Sequence, residues 1–156
     1  MMKIREWKMK RKKLFLCILG IWGIVLTSCG TKEDTQEQEE LSGIPDVVSS
    51  AVFDTDYNLT VVANSNEIED TEEFARTVVH MCQNNSFRST RFSTDIRGYP
   101  TRLDISVYMN RKDIEERKEP VYKIEFKTDD FSKGYNIKEN PDKFHLYLDG
   151  KEVEFY

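Results

Sequence analysis

The chain has 156 residues, with 23 lysines and arginines against 28 aspartates and glutamates, and a net charge of −5. This length accommodates one domain with a single core. The first 28 residues hold seven of the basic residues and one of the acidic residues, so the remainder holds 16 against 27 and carries −11. So acidic a remainder disfavours nucleic acid as a partner, because the two repel each other at long range.

The N-terminal segment has the order of a secretory signal, in which a basic cluster precedes an apolar run. All seven bases lie in residues 1–13, and residues 14–26 are uncharged. A membrane-spanning helix needs about 20 apolar residues, so this run is too short to cross a bilayer easily. An uncleaved membrane anchor is the alternative interpretation.

The run ends in Leu26, Thr27, Ser28 and Cys29, followed by Gly30. These residues resemble the lipobox of bacterial lipoproteins, and the resemblance covers residues 1–30 only. It implies that residues 1–28 are a cleaved signal peptide and that Cys29 carries diacylglycerol and an N-acyl chain such as palmitate. Two or more chains, at about 0.8 kcal/mol per buried methylene, would hold the protein on a membrane. The implied location is the outer face of the cytoplasmic membrane, or an outer membrane in a Gram-negative source.

The next segment is polar and acidic, so we interpret residues 29–43 as a lipidated cysteine on a flexible tether and residues 44–156 as the single domain. Cys17 falls within the signal and Cys29 is assigned to the lipid, which leaves Cys82 without a disulfide partner. We expect Cys82 to be buried as a small apolar side chain.

The first elements of the domain differ in clarity. Residues 47–52 suit a helical turn, whereas residues 57–63 alternate in polarity and predict a strand. A helix follows, because Asp70 and Glu73 have the spacing of a capping box. Its apolar stripe is predicted to face the core and to end at Asn84 and Asn85, and its members are Phe74, Val78, Met81 and Cys82.

Period-two patterns then predict an antiparallel meander. Residues 87–95 are expected to pair with residues 102–110, with Phe92 opposite Ile105 on the apolar face and Asp95 opposite Arg102 on the polar face. In the same register Arg91 lies diagonal to Asp104. Residues 121–127 form the third strand, which places Tyr122, Ile124 and Phe126 opposite Met109, Val107 and Ile105. The charged connector 111–120 is predicted to be a solvated turn or a short helix.

Asp149 and Gly150 form a two-residue turn signal for a last hairpin. The expected pairs are Leu146 with Val153, Phe144 with Phe155, Tyr147 with Glu152 and His145 with Glu154. The fold class is therefore predicted as α+β, one amphipathic helix packed on an antiparallel meander sheet of five to six strands. The order of elements looks like cystatin-like or NTF2-like arrangements.

We predict no catalytic residue, no metal site and no cofactor. His80 and Cys82 are two residues apart and therefore point to different faces of a helix, which does not suit zinc. His145 opposite Glu154 is interpreted as a surface pair rather than an acid/base dyad. The chain contains neither a glycine-rich phosphate loop nor a nucleophile elbow.

Two features are candidates for ligand or partner binding. Arginine and tyrosine cluster in one short segment of an acidic domain, at Arg88, Arg91, Arg97, Tyr99 and Arg102. Such residues are typical of protein-binding or anion-binding patches. The alternative is that Asp95 and Asp104 neutralise two of the arginines. The long connection 128–143 holds Phe131 and Tyr135, which either bind a partner or pack on the core.

The resulting hypothesis is a non-enzymatic, membrane-anchored envelope lipoprotein that binds a ligand or an envelope or extracellular protein. An immunity-type or inhibitory lipoprotein is one alternative. An envelope hydrolase with an unrecognised site is another.

Overall fold

The computed structural model describes residues 42–156. The predicted signal peptide, the predicted lipidation site Cys29 and the predicted tether as far as residue 41 lie outside the described residues. Within residues 42–156, no helix combines the length and apolar character needed to cross a membrane.

The described residues form six strands, three α-helices and two 3-10 turns. The strands are β1 (Asp46–Phe53), β2 (Asp56–Val62), β3 (Arg102–Tyr108), β4 (Tyr122–Lys127), β5 (His145–Leu148) and β6 (Lys151–Val153). The helices are α1 (Thr71–Asn84), α2 (Thr94–Arg97) and α3 (Arg111–Glu115), and the 3-10 turns are Phe131–Lys133 and Pro141–Lys143. The domain is α+β, as predicted, and the ambiguous residues 47–52 belong to a strand.

All six strands lie in one sheet, in the order β1 to β6. Four neighbouring pairs are antiparallel, but β2 and β3 are parallel, with Leu59 beside Ile105. The predicted antiparallel meander is therefore correct from β3 to β6 and wrong between β2 and β3. Parallel neighbours require a crossover connection. Here the crossover runs from residue 63 to residue 101 and contains α1 and α2.

Helix α1 begins and ends where its sequence predicts. The Asp70 carboxylate accepts a hydrogen bond from the Glu73 backbone N–H at 2.9 Å, an N-cap of the kind that contributes about 1 kcal/mol. Asn85 adopts the left-handed conformation at φ 50° and stops the helix. Val78 and Cys82 are fully buried, while the other two stripe residues are partly buried against the core.

The core lies between one face of the sheet and α1, both of which contribute buried side chains to it. Along β3 the side chains of Leu103, Ile105 and Val107 are buried, whereas the residues between them are partly exposed. The same alternation in β2 and β4 buries Tyr57, Leu59, Val61, Ile124 and Phe126. Fully burying one such side chain contributes about 2 kcal/mol relative to leaving it exposed, so this layer supplies most of the driving force for folding.

Residues 87–95 do not form the predicted strand, which is a correction. Phe87 and Phe92 are both buried, but they are five positions apart and reach the core from an irregular loop. The Asn85 side chain bonds both the N–H and the carbonyl of Phe92 at 2.8 and 2.9 Å. The Arg91 guanidinium donates to the carbonyls of Asn85 and Phe87. These side chains satisfy the loop backbone, which therefore needs no strand partner.

The place beside β3 that residues 87–95 were predicted to take belongs to β2. Consequently Phe92 does not pair with Ile105, nor Asp95 with Arg102, and Arg91 does not lie diagonal to Asp104. Asp95 lies instead in the first turn of α2.

The register of β3 with β4 differs from the prediction by two residues. Leu103, Ile105 and Val107 pair with Phe126, Ile124 and Tyr122, so the predicted face is correct. Asn110, which was predicted to lie in the strand, instead caps α3 by accepting from the Asp113 N–H at 3.1 Å, and β3 ends at Tyr108. Of the two structures predicted for the charged connector, a solvated turn or a short helix, the structure shows a short helix.

The last hairpin is confirmed around Asp149 and Gly150, with Leu146 opposite Val153 and Tyr147 opposite Glu152. The ladder ends at Val153, so Phe144 and Phe155 are not a strand pair. Their rings instead contact the Phe126 ring, at centroid distances of 5.1 and 4.6 Å. The predicted pair of His145 with Glu154 is wrong in the same way, because His145 Nδ1 lies 2.7 Å from Glu152 Oε1.

A buried carboxylate fastens the loop after α1 to the start of β1. Asp46 is 5% exposed. It accepts hydrogen bonds from the backbone N–H groups of Val47, Arg88 and Ser89, at 3.0 to 3.2 Å, and from the Ser89 hydroxyl. Four donors satisfy the buried charge, which would otherwise be costly.

Replacing Asp46 with alanine therefore leaves several buried hydrogen-bond donors without an acceptor. The substitution should lower the free energy of unfolding by about 2–4 kcal/mol. Urea unfolding followed by circular dichroism measures the loss. Glu67→Ala removes an exposed carboxylate on a loop and should change stability by less than about 0.5 kcal/mol. Equal effects of the two substitutions would show that Asp46 does not fasten the loop.

Candidate functional site

The sheet has two ends of different character. At the α3 end the described chain begins, the Gly43 N–H bonds the Asn64 carbonyl at 2.6 Å, and α3 follows β3. At the opposite end three connections meet, and we call it the three-loop end. They are the β1–β2 turn (54–55), the α2–β3 segment (94–101) and the β4–β5 connection (128–144).

Hydrogen bonds join the three connections to one another. Thr55 and Thr101 share a bond between their hydroxyls at 2.8 Å, and the Thr101 N–H donates to the Thr55 carbonyl at 3.0 Å. The Ile137 N–H donates to the Pro100 carbonyl at 2.9 Å. The loops therefore form one connected surface rather than three independent segments.

The β4–β5 connection is also held by contacts with α1. The side chain of Ile137 is fully buried, and its carbonyl accepts from the buried Gln83 amide of α1 at 2.8 Å. The Gln83 oxygen is in turn bonded to His80 Nδ1 at 2.9 Å. Helix α1 thus holds the connection in place, and both polar ends of the buried amide are paired.

A cleft of about 560 Å³ lies between the three connections. Three of the predicted binding residues, Arg97, Tyr99 and Phe131, line it together, beside Thr55, Asp56, Gly98, Thr101, Gly134 and Asn136. The lining thus contains one cation, Arg97, and one carboxylate, Asp56, among aromatic and small side chains. Asp56 accepts from the Thr101 hydroxyl at 3.2 Å. Burial raises the pKa of Tyr57, and the positive charge of Arg97 opposes part of that rise.

Large apolar side chains stand exposed around this cleft. Phe131 is 60% exposed, and Phe53, immediately before the β1–β2 turn, and Ile96, beside Arg97, are each 82% exposed. Single exposed apolar residues are ordinary, and of these three only Phe131 lines the cleft, but several at one end of a sheet are of the kind that marks binding surfaces. The combination with Arg97 and Tyr99 adds the residue types enriched at energetically important interface positions.

The other predicted binding residues lie elsewhere. The Arg91 guanidinium is occupied by backbone carbonyls. The backbone of Arg88 bonds Asp46, which places it on the loop after α1. Tyr135 packs against the core beside the cleft and does not line it.

Arg102 projects from the polar face of the sheet, where its charge is neutralised. Its guanidinium lies 2.9 Å from Asp104 and 3.1 Å from Glu125, and Glu125 is also bonded to Lys127 at 3.0 Å. The hydrogen bond from Lys127, with the nearby cations, lowers the pKa of Glu125. The bond to Asp104 raises the pKa of Arg102. Of the predicted neutralising carboxylates, Asp104 therefore pairs with Arg102, whereas Asp95 does not.

The polar face carries a shallow groove of about 630 Å³ that crosses the middle strands. Its lining includes Asn58, Thr60, Asp104, Ser106 and Lys123. These side chains are polar and short or paired, so the groove offers little apolar surface for tight binding.

His145 lies beside two carboxylates at the surface. His145 lies 2.7 Å from Glu152 and 3.7 Å from Asp129, in a shallow pocket of about 320 Å³. Among the described residues that line this pocket there is no serine, threonine or cysteine to act as a nucleophile. Cys82 is buried, as predicted, and burial raises the pKa of its thiol, which keeps it protonated and unreactive.

Sequence reasoning missed Phe53 and Ile96 as surface residues. Phe53 stands in the segment 47–63, whose structure was ambiguous, and Ile96 stands in the predicted connecting loop 96–101, but neither was named as a binding residue. A usable signal exists at Phe53, because it directly precedes Asp54, whose φ of 55° closes a two-residue turn. Residues beside such a turn lie at the end of a sheet, where an apolar side chain has little to pack against.

Comparison of the chain with protein-family models, with curated proteins and with solved structures gave no match in any of the three.

Proposed function

We propose that this chain is a lipid-anchored envelope protein that binds another protein, without catalysis, through its three-loop end. The observation that carries the proposal is the exposure of Phe53, Ile96 and Phe131 at one end of the sheet, where Arg97 and Tyr99 line a cleft together with Phe131. Exposing three large apolar side chains on a small acidic domain favours association unless a partner covers them. An envelope or extracellular protein is the partner class that the proposed location allows.

An immunity-type or inhibitory lipoprotein would use the same surface and is one form of this proposal. The cystatin-like or NTF2-like arrangement remains an analogy in the order of elements, which carries no activity by itself. The described residues that line the exposed His145 pocket include no serine, threonine or cysteine, so the pocket lacks the nucleophile of a serine-, threonine- or cysteine-type hydrolase.

The anchor is tested by replacing Cys29 with serine in bacterial cells fed an alkyne-labelled fatty acid. The variant should lose the lipid label entirely, because the serine hydroxyl does not replace the thiol that forms the thioether. Cys17→Ser provides the matched control, since Cys17 lies within the predicted signal, and should keep the label. Undiminished label and full membrane association in the Cys29→Ser protein would refute the lipobox assignment.

Binding is tested by recovery of partner proteins on the immobilised domain. Arg97→Glu and Phe131→Ala should each lower recovery of the specific partner about tenfold or more, which corresponds to about 1.4 kcal/mol. Lys112→Glu and Val121→Ala are matched charge-reversal and truncation controls at the α3 end. Recovery that falls only with the control variants, or with none of the four, would remove the three-loop end as the binding surface.

A further inference from the structure

Strand β1 forms one edge of the sheet and is long enough to accept another strand. It spans Asp46–Phe53, and among the described residues its only strand partner is β2. The opposite edge, β6, has three residues and carries Lys151 and Glu152. Short, charged edges resist pairing with other chains, whereas long uncharged edges permit it. The two edges therefore differ in the property that governs strand addition.

The pairing of β2 determines which β1 groups face outward. The Ala63 N–H donates to the Tyr108 carbonyl and the Thr55 carbonyl accepts from Thr101, so the odd-numbered residues of β2 face β3. Its even-numbered residues then face β1, where their partners are Ser49, Ala51 and Phe53. Backbone direction alternates along a strand. The N–H and carbonyl groups of Ser50 and Val52 consequently point away from the sheet.

The features that usually prevent an edge strand from pairing with another chain are weak along β1. From Val47 to Phe53 the sequence contains no charged residue and no proline. One irregularity in the ladder lies between Val47 and Ser49, before the outward-facing groups. Ser49, Ser50, Ala51 and Phe53 are exposed, so no described residue covers this part of the edge.

The negative charge around β1 disfavours a second copy of this chain as the partner of the β1 edge. From Glu33 to Ala75 the sequence contains many acidic residues and no lysine or arginine. A two-fold pairing of β1 with itself around Ser50 would bring Asp54 of one copy towards Asp46 of the other. Like charges at the two ends of the paired strands destabilise such a dimer. The same repulsion disfavours the acidic tether of this chain.

We infer that the outer edge of β1 accepts an extended segment of a partner protein, with an uncharged centre and basic residues at its ends. Main-chain hydrogen bonds to Ser50 and Val52 would supply the pairing, and lysine or arginine flanks would meet the acidic surroundings. The edge ends at Phe53, one of the exposed residues of the three-loop end. The inference thus rests on the proposed function and names the partner chemistry that this surface takes.

The test uses the full chain in detergent and a synthetic peptide of about ten residues, in which valine and threonine alternate between paired lysines. Titration calorimetry should detect binding, with a dissociation constant on the order of 100 μM. The same peptide with glutamate flanks should bind at least about tenfold more weakly. Amide hydrogen exchange at Ser50 and Val52 should slow when the lysine peptide binds.

Two variants at one position separate edge pairing from other binding. Ser50→Pro removes an outward N–H without removing a bond to β2, so the fold should persist and peptide binding should disappear. Ser50→Thr keeps the N–H and should bind as the parent does. Circular dichroism confirms that both variants are folded. If Ser50→Pro unfolds the domain, protection of the Ser50 and Val52 amides in the parent protein decides the question.

Each remaining outcome overturns the inference. These outcomes are equal binding of both peptides, binding by Ser50→Pro equal to the parent, no binding at millimolar peptide, or concentration-dependent dimerisation of the domain that Ser50→Pro abolishes. Failure of the peptide test does not by itself refute the proposed function, because partner recovery with the Arg97→Glu and Phe131→Ala variants does not depend on the β1 edge. If those recoveries also remain unchanged, the proposed function fails as well.

Discussion

The parallel pairing of β2 with β3 is the constraint on which the rest of the structure depends. Because these strands run in the same direction, the chain after Ala63 must travel back across the sheet before β3 can begin. Helix α1 makes that return and contributes Val78, Val79 and Cys82 to the core. The pairing also places the starts of β2 and β3 at one end of the sheet, where Thr55 meets Thr101. Without it, the three connections would not meet and the cleft between them would not form.

The two faces of the sheet differ in polarity and burial. One face buries its side chains beneath α1, and the other is polar, with Arg102, Glu125 and Lys127 neutralising one another. Apolar surface that cannot be buried is concentrated at the ends of the strands. Three of the large exposed apolar side chains among the described residues, Phe53, Ile96 and Phe131, stand at the three-loop end. The proposed binding role follows from this distribution and from the open β1 edge that leads to it.

Local patterns predicted most elements of the domain, because each depends on neighbours in sequence. The alternation of Leu103, Ile105 and Val107 identified β3, and Asp149 with Gly150 identified the last turn. Long-range features were missed. Residues 87–95 alternate well enough to suggest a strand, but Asn85 and Arg91 satisfy their backbone from side chains, and β2 takes the place beside β3. Of the predicted binding residues, the cleft gathers Arg97, Tyr99 and Phe131, whose meeting depends on the crossover rather than on sequence spacing.

The most direct test of the proposed binding surface places one photo-crosslinking amino acid at each end of the sheet in cells. Phe131 and Val121 are both exposed apolar positions, one at the three-loop end and one at the α3 end. Replacing Phe131 with benzoylphenylalanine should give a discrete adduct with one envelope or extracellular protein after irradiation, and the same replacement at Val121 should not. An adduct formed only from Val121, or equally from both positions, would contradict a binding surface at the three-loop end.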